Sequence, residues 1–189
     1  YLLEEAYEVL ECLDKNDTAE LPKELGDLLL QIVFHAQIAA ENGDFTIDDV
    51  LAQIIKKLID RHPHVFGDAT IASADEQVKN WVRLKKQEGK NSVIDGVPDH
   101  LPALQKAMRL QQKAATVGFD WPDVQHVWQK VDEELGELKQ AVQSREQQQI
   151  EDELGDVLFS LVNLSRFLEC NPEDALRGTI AKFVSRFRF

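Results

Sequence analysis

Glu134, Glu137, Glu153 and Asp156 are the residues whose types and spacing could do chemistry together. The first two belong to an E-E-x-x-E run that begins at Glu133, and the second two close an E-x-x-D run. Separations of three and four place each pair on one helical face. The polar run Gln143 to Gln149 between them is long enough for a turn, so the two helices are expected to fold back on one another. Four carboxylates facing each other repel unless protons or a cation compensate, and a hard divalent ion with oxygen ligands is the usual solution. The bland alternative is a solvated acidic face. It fits poorly with Leu154, Val157, Leu158, Leu161 and Val162, the apolar sequence in which the second pair is set.

The constellation occurs twice. Adding 129 to Glu5, Glu8, Glu24, Gly26 and Asp27 gives Glu134, Glu137, Glu153, Gly155 and Asp156, with residue type kept at every position. At this chain's frequency of acids, matching four of them by chance happens on the order of once in a thousand placements. The chain is therefore read as a tandem repeat whose repeated core is the acid set. A cationic pair recurs as well: Lys57 and Arg61 correspond to Lys182 and Arg186, now 125 apart, which puts four extra residues in the first copy around Asn42 to Phe45. Lys and Arg at i, i+4 beside a metal-binding acid set suit the far phosphates of a phosphorylated ligand; alone they would be a solvated basic edge.

The elements that must position these groups are helices almost throughout. Apolar residues at 2, 3, 6, 9, 10 and 13 make a helical stripe broken by Asn16, Asp17 and Thr18. Pro22 suits the first turn of a second helix, stopped at Asn42-Gly43. Thr46 with Asp49 reads as a capping box for a third helix, which Pro63 ends. His62 and His64 lack helical ligand spacing and are not assigned to a metal. Ser73 with Glu76 would cap a helix over 74–88 that carries Trp81, Lys85 and Lys86, and residues 89–98 read as a polar link. Pro102 opens a basic helix containing Lys106, Arg109 and Lys113, ended by Gly118, and Asn171-Pro172 starts the last helix. The expected fold is all-α: a helical repeat at 1–62, a helical linker at 63–123 and a second repeat at 124–189. Three helices per repeat cannot enclose their own apolar faces, so the repeats are expected to pack in pairs, within one chain or as a homodimer.

With 189 residues, 43% of them apolar and 29% charged, the composition is that of an ordinary soluble globular protein. No apolar run is long enough to span a membrane. The net charge of −13 argues against a nucleic-acid polymer as ligand, yet a bound cation would still admit a small phosphorylated one. Cys12 and Cys170 fall in no metal or redox spacing and are expected to be two buried thiols of a reduced, cytoplasmic protein. A chain that opens at Tyr1 inside one amphipathic helix and stops at Phe189 inside another reads as part of a longer protein.

E-E-x-x-E followed by E-L-G-D, twice, resembles the all-α nucleoside triphosphate pyrophosphohydrolases of the MazG family. The resemblance extends over YLLEEAYEVL, KELGDLLLQIVFHAQIA, RHPHVFGD, NWVRLKKQE, GVPDHLPALQKA and KAATVGFDW, and covers nearly the whole chain. The acidic motif also occurs in related dimeric dUTPases and phosphoribosyl-ATP pyrophosphohydrolases; the linker and V-G-F-D-W narrow the match to the tandem-repeat bacterial type. The resemblance implies Mg²⁺-dependent (alternatively Mn²⁺-dependent) hydrolysis of nucleoside triphosphates to monophosphate and pyrophosphate by paired helical bundles. It implies Glu134, Glu137, Glu153 and Asp156 as metal ligands, with Glu5, Glu8, Glu24 and Asp27 as their first-repeat counterparts. Lys182 and Arg186, with Lys57 and Arg61 in the first copy, would hold phosphates, and Lys85, four after Trp81, could reach the substrate. It also implies further sequence before Tyr1 and after Phe189.

Independently of the family, Glu133 or Glu134 is the candidate to take a proton from an attacking water. Lys130, four before Glu134, points along the carboxylate face where the first repeat has Tyr1, so the second repeat is expected to carry most of the turnover. Two rival readings fit less well. A di-iron bundle needs Glu-x-x-His, and no glutamate here has histidine at i+3. An acidic helical scaffold for a basic partner explains the charge but not the duplicated spacing.

Overall fold

A computed structural model describes residues 1–66 and 92–188, and the chain divides into two compact units, Tyr1–Ala72 and Ser73–Phe189. The first unit holds α1 (Leu2–Lys15), α2 (Leu21–Asn42), α3 (Ile47–Arg61) and the single turn α4 (Pro63–Phe66). The second holds α5 (Ala103–Ala115), α6 (Val124–Ser144), α7 (Gln147–Phe167) and α8 (Pro172–Phe187). All regular structure among the described residues is helical. The expected helix over 74–88, with its Ser73 cap, Trp81 and Lys85, lies outside the described residues, as does the side chain of His64.

The local signals act as their chemistry dictates. Asn16 ends α1 at φ 53, and Asp17 N–H returns to the Cys12 carbonyl at 2.8 Å. Gly43, at φ 77, ends α2 in the left-handed region where glycine has no Cβ penalty. Thr46 and Asp49 form the reciprocal cap: Thr46 N–H donates to Asp49 Oδ2 (2.8 Å), and Asp49 N–H to Thr46 Oγ1 (3.4 Å). Asn171 Oδ1 caps α8 by accepting from Glu173 N–H at 3.1 Å. Two features exceed the sequence reading. Asp123 caps α6, its Oδ1 accepting from Gln125 N–H (2.8 Å) and His126 N–H (3.1 Å). The polar run 143–149 shrinks to a turn at Arg145 and Glu146, with Arg145 at φ 63.

In the second unit, α6 and α7 pack along their length, and α5 lies on both α7 and α8. The core of the α6–α7 pair is Val127, Val131 and Leu164, flanked by Val124 and Phe167. Val127 and Val162 are each only 1% exposed, and burial of a side chain of this size contributes about 1.5–3 kcal/mol. In the first unit α2 packs on α1 and α3. Neither α3 nor α8 has a buried residue, and Ile55 on α3 and Ile180 and Phe183 on α8 are more than half exposed. The apolar faces of these helices are thus uncovered among the described residues.

One of the two thiols departs from expectation. Cys12 is buried and Cys170 is exposed. Cys170 follows the end of α7, where Glu169 at φ 55 carries the chain outward ahead of the Asn171 cap.

Candidate active site

The acids are brought together by helix pairing. In the second unit Glu134 and Glu137 on α6 and Glu153 on α7 each place a carboxylate oxygen within 4.8 Å of the others. Glu134 is buried, Glu153 half-buried and Glu137 exposed. In the first unit Glu5, Glu8 and Glu24 do the same from α1 and α2. The fourth acid of each set, Asp156 or Asp27, is not within that tight group. Asp156 is close enough to act on Glu153 electrostatically, and it sits exposed one turn further along α7.

The electrostatics are those of an under-compensated site. Burial first, then Glu137, Asp156 and Glu134, pushes the Glu153 carboxyl above the usual glutamate range. Glu153 Oε2 is out of solvent and has no hydrogen-bond partner. In the first unit Glu8 is pushed up likewise, by burial and then by Glu24 and Glu5. An orphaned carboxylate oxygen among converging acids is a donor set that fits a hard divalent cation.

Lys130 lies where its spacing from Glu134 puts it. Its Nζ is 2.8 Å from Glu134 Oε1 and 2.9 Å from Glu133 Oε1. Hydrogen bonding to Glu134 first, then to Glu133, raises it well above the usual lysine range and keeps it charged. Glu133 is outside the three-carboxylate group, exposed, with this lysine on its carboxylate. The nearest analogue in the first unit is Lys23 on Glu24 (2.9 Å), and that lysine is 67% exposed against 34% for Lys130.

Beside the second acid set is a cavity of about 580 Å³, lined by Lys130, Glu134 and Asp156 on one side and by Phe119, Trp121 and Phe159 among its apolar residues. It forms because α5 and the following segment 118–121 lie against α6 and α7. Arg166 Nη1 donates to Asp120 Oδ2 at 3.0 Å, a second contact joins Arg166 Nη2 to Asp120 Oδ1, and the guanidinium sits 4.5 Å from the Phe167 ring centroid. This bidentate pair fixes the segment that carries Phe119 and Trp121. In the sequence, V-G-F-D-W served only to narrow the family resemblance; the Asp120–Arg166 partners lie 46 residues apart, beyond any local pattern.

Other expected site residues are placed elsewhere. Lys182 and Arg186 are exposed on α8, which packs on α5, and neither lines the cavity. Lys57 and Arg61 are on α3, packed against α2. The basic helix does not present its lysines to the acids: Lys106 pairs with Asp99 at 2.9 Å, and Lys113 donates to the Asp95 carbonyl, so both fasten residues 92–101 to α5. Lys85 lies outside the described residues. Gly26 and Gly155, repeated with the acids, meet no atom within 4 Å of an added Cβ, so nothing in the packing explains them.

The MazG nucleotide pyrophosphohydrolase domain matches residues 1–66 and again 123–188, the two stretches that carry the acid sets. The chain belongs to the MazG family. Across its full length it is 51% identical to the nucleoside triphosphate pyrophosphohydrolase/pyrophosphatase MazG of Thermotoga maritima, of which it covers 72%. It is 43% identical to the nucleoside triphosphate pyrophosphohydrolase of Escherichia coli K12, again across its full length and 74% of that protein. A Mycobacterium tuberculosis nucleoside triphosphate pyrophosphohydrolase is 42% identical over 63% of the chain and 37% of its own length. MazG membership agrees with a duplicated helical unit built around paired acids.

Proposed function

We propose that this MazG-family chain hydrolyses nucleoside triphosphates to monophosphate and pyrophosphate, with Mg²⁺ (or Mn²⁺) held by Glu134, Glu137, Glu153 and Asp156. The observation that carries the reading is the orphaned oxygen of Glu153 within the carboxylate group, one member of which, Glu134, also lines a ligand-sized cavity. When bound, the cation supplies charge neutralisation for phosphate oxygens and lowers the pKa of water.

The chain's own residues supply the rest. Lys130 pairs with both Glu133 and Glu134, and one of these two carboxylates is the proposed acceptor of a proton from an attacking water. Phe119 and Trp121 give the nucleoside an apolar wall, anchored by Asp120 and Arg166. Lys182 and Arg186, with Lys85, are the proposed cations for the outer phosphates, and Lys57 and Arg61 their first-repeat equivalents. The first set, Glu5, Glu8, Glu24 and Asp27, is proposed as a second metal site with a minor share of turnover.

Uncovered apolar faces on α3 and α8 support a homodimer in which repeats pair. No helix among the described residues is long and apolar enough to cross a membrane, and a cytoplasmic enzyme acting on free nucleotides fits the composition.

The test is product analysis on mixed nucleotides. Pyrophosphate and monophosphate should appear with Mg²⁺ and disappear when the metal is chelated. Orthophosphate as the first product, with diphosphate accumulating, would contradict the reading, and no release at all would return the chain to an acidic scaffold.

A further inference from the structure

Gln111 is a buried polar residue lining the cavity. It is 8% exposed, although it belongs to α5, a helix otherwise polar on its outer face. Its Nε2 donates to the Phe159 carbonyl on α7 at 2.9 Å. A carbonyl partner accepts only from the amide nitrogen, so this bond fixes which way the amide is turned. Gln111 Oε1 is then left out of solvent with no hydrogen-bond partner. Ser160, also lining the cavity and 7% exposed, donates its hydroxyl proton to the Val157 carbonyl at 2.9 Å, leaving acceptor capacity alone. Gln111 Oε1 and Ser160 Oγ thus offer acceptors to the cavity, whose lining also includes Asn163, its Oδ1 accepting from Arg166 Nε at 3.1 Å. The aromatic side chains Phe119, Trp121 and Phe159 also line the cavity.

We infer that this cavity takes the nucleobase and that Gln111 is a specificity-determining residue, its Oε1 accepting from an exocyclic amino group. The inference rests on the pyrophosphohydrolase reading above. Glu134 and Asp156 line the same cavity, so a ligand with phosphates at the acids extends its sugar and base toward the apolar side. A flat ring there packs on the aromatic side chains, and a buried acceptor left unpaired favours a ligand that supplies N–H. Bases with an exocyclic amino group, adenine, cytosine and guanine, satisfy it. Uracil, thymine and hypoxanthine place a carbonyl oxygen where cytosine and adenine carry the amino group, and satisfy Gln111 Oε1 only by turning a ring N–H toward it.

The decisive experiment deletes the amino group from the substrate. Full-length chain with Mg²⁺ is assayed on ATP against purine riboside triphosphate, whose base has hydrogen in place of the amino group. Calorimetry on AMP and purine riboside monophosphate reads binding without turnover. The expected result is a kcat/KM about tenfold or more lower for the analogue, carried mainly by KM, with a matching loss of affinity. Gln111→Met should bring that ratio close to one. Equal kcat/KM on both substrates in the unaltered protein would overturn the inference without any variant, as would a ratio that Gln111→Met leaves unchanged. Pyrophosphate release without amino-group discrimination defeats the inference alone; no release from any nucleotide defeats the function on which it rests as well.

Discussion

The two repeats carry the same acids at the same spacing but surround them differently. In the second, Lys130 bridges Glu133 and Glu134, and α5 with residues 118–121 encloses a cavity against Glu134 and Asp156. In the first, the matching position to Lys130 is Tyr1, 87% exposed, and the lysine on Glu24 is its own neighbour, Lys23. The third helix of the first repeat packs on α2, while that of the second packs on α5. Identical ligand sets can therefore differ in what they do, because the acids choose the cation and the surrounding elements choose what it meets. A metal site becomes a catalytic site only where a substrate can be oriented beside it.

The sharpest way to break this comparison is to remove the compensating lysine from each repeat. Lys130→Met should lower kcat/KM about tenfold or more and cost the metal-free protein about 1–2 kcal/mol, since Glu134 is buried and loses a charged hydrogen bond. Lys23→Met should change kcat/KM by no more than about twofold, because an exposed pair contributes little. Steady-state kinetics and urea melts check both, and equal effects would remove the distinction drawn between the repeats.

Much of this was legible in the sequence because it is local. Helix periodicity, the Thr46–Asp49 box, the Asn171 cap and the glycine stop at 43 depend on residues a few positions apart. The carboxylate groups were legible because duplication exposes a spacing that single motifs hide. The cavity was not, since it joins α5, residues 118–121 and α7 through partners such as Asp120 and Arg166 that no periodicity relates. One signal was present: Leu104, Ala107, Met108, Gln111 and Ala114 follow helical spacing, and Gln111 is the polar residue on that stripe. The basic character of α5 left its role open, because charge read from sequence does not say whether a lysine faces a ligand or a neighbouring loop. Lys106 and Lys113 face the loop.

A smaller effect sharpens the comparison through pH. Glu153 and Glu8 are both pushed above the ordinary glutamate value, on opposite members of their helix pairs, α7 and α1. A raised acid holds a proton in the folded state that the unfolded chain releases, so its effect on stability becomes unfavourable as pH climbs past the ordinary glutamate value of 4.5. The metal-free protein should accordingly melt higher near about pH 5 than near about pH 7.5, and added Mg²⁺ should narrow the gap. Glu153→Gln and Glu8→Gln should each remove part of it and raise the neutral-pH melting temperature, Glu8→Gln the less because Glu8 is exposed. A gap unaffected by either substitution would show that neither acid set is under-compensated.

The measurement closest to the central claim is pyrophosphate release by full-length chains lacking one acid pair at a time. Replacing Glu134 and Glu137 by Ala should reduce turnover about a hundredfold or more, since the group that orients substrate against the cation is gone. Replacing Glu5 and Glu8 by Ala should leave most of it. The reverse pattern would place the chemistry in the first repeat, and equal losses would mean that both repeats turn over; either result contradicts an active site centred on the second repeat.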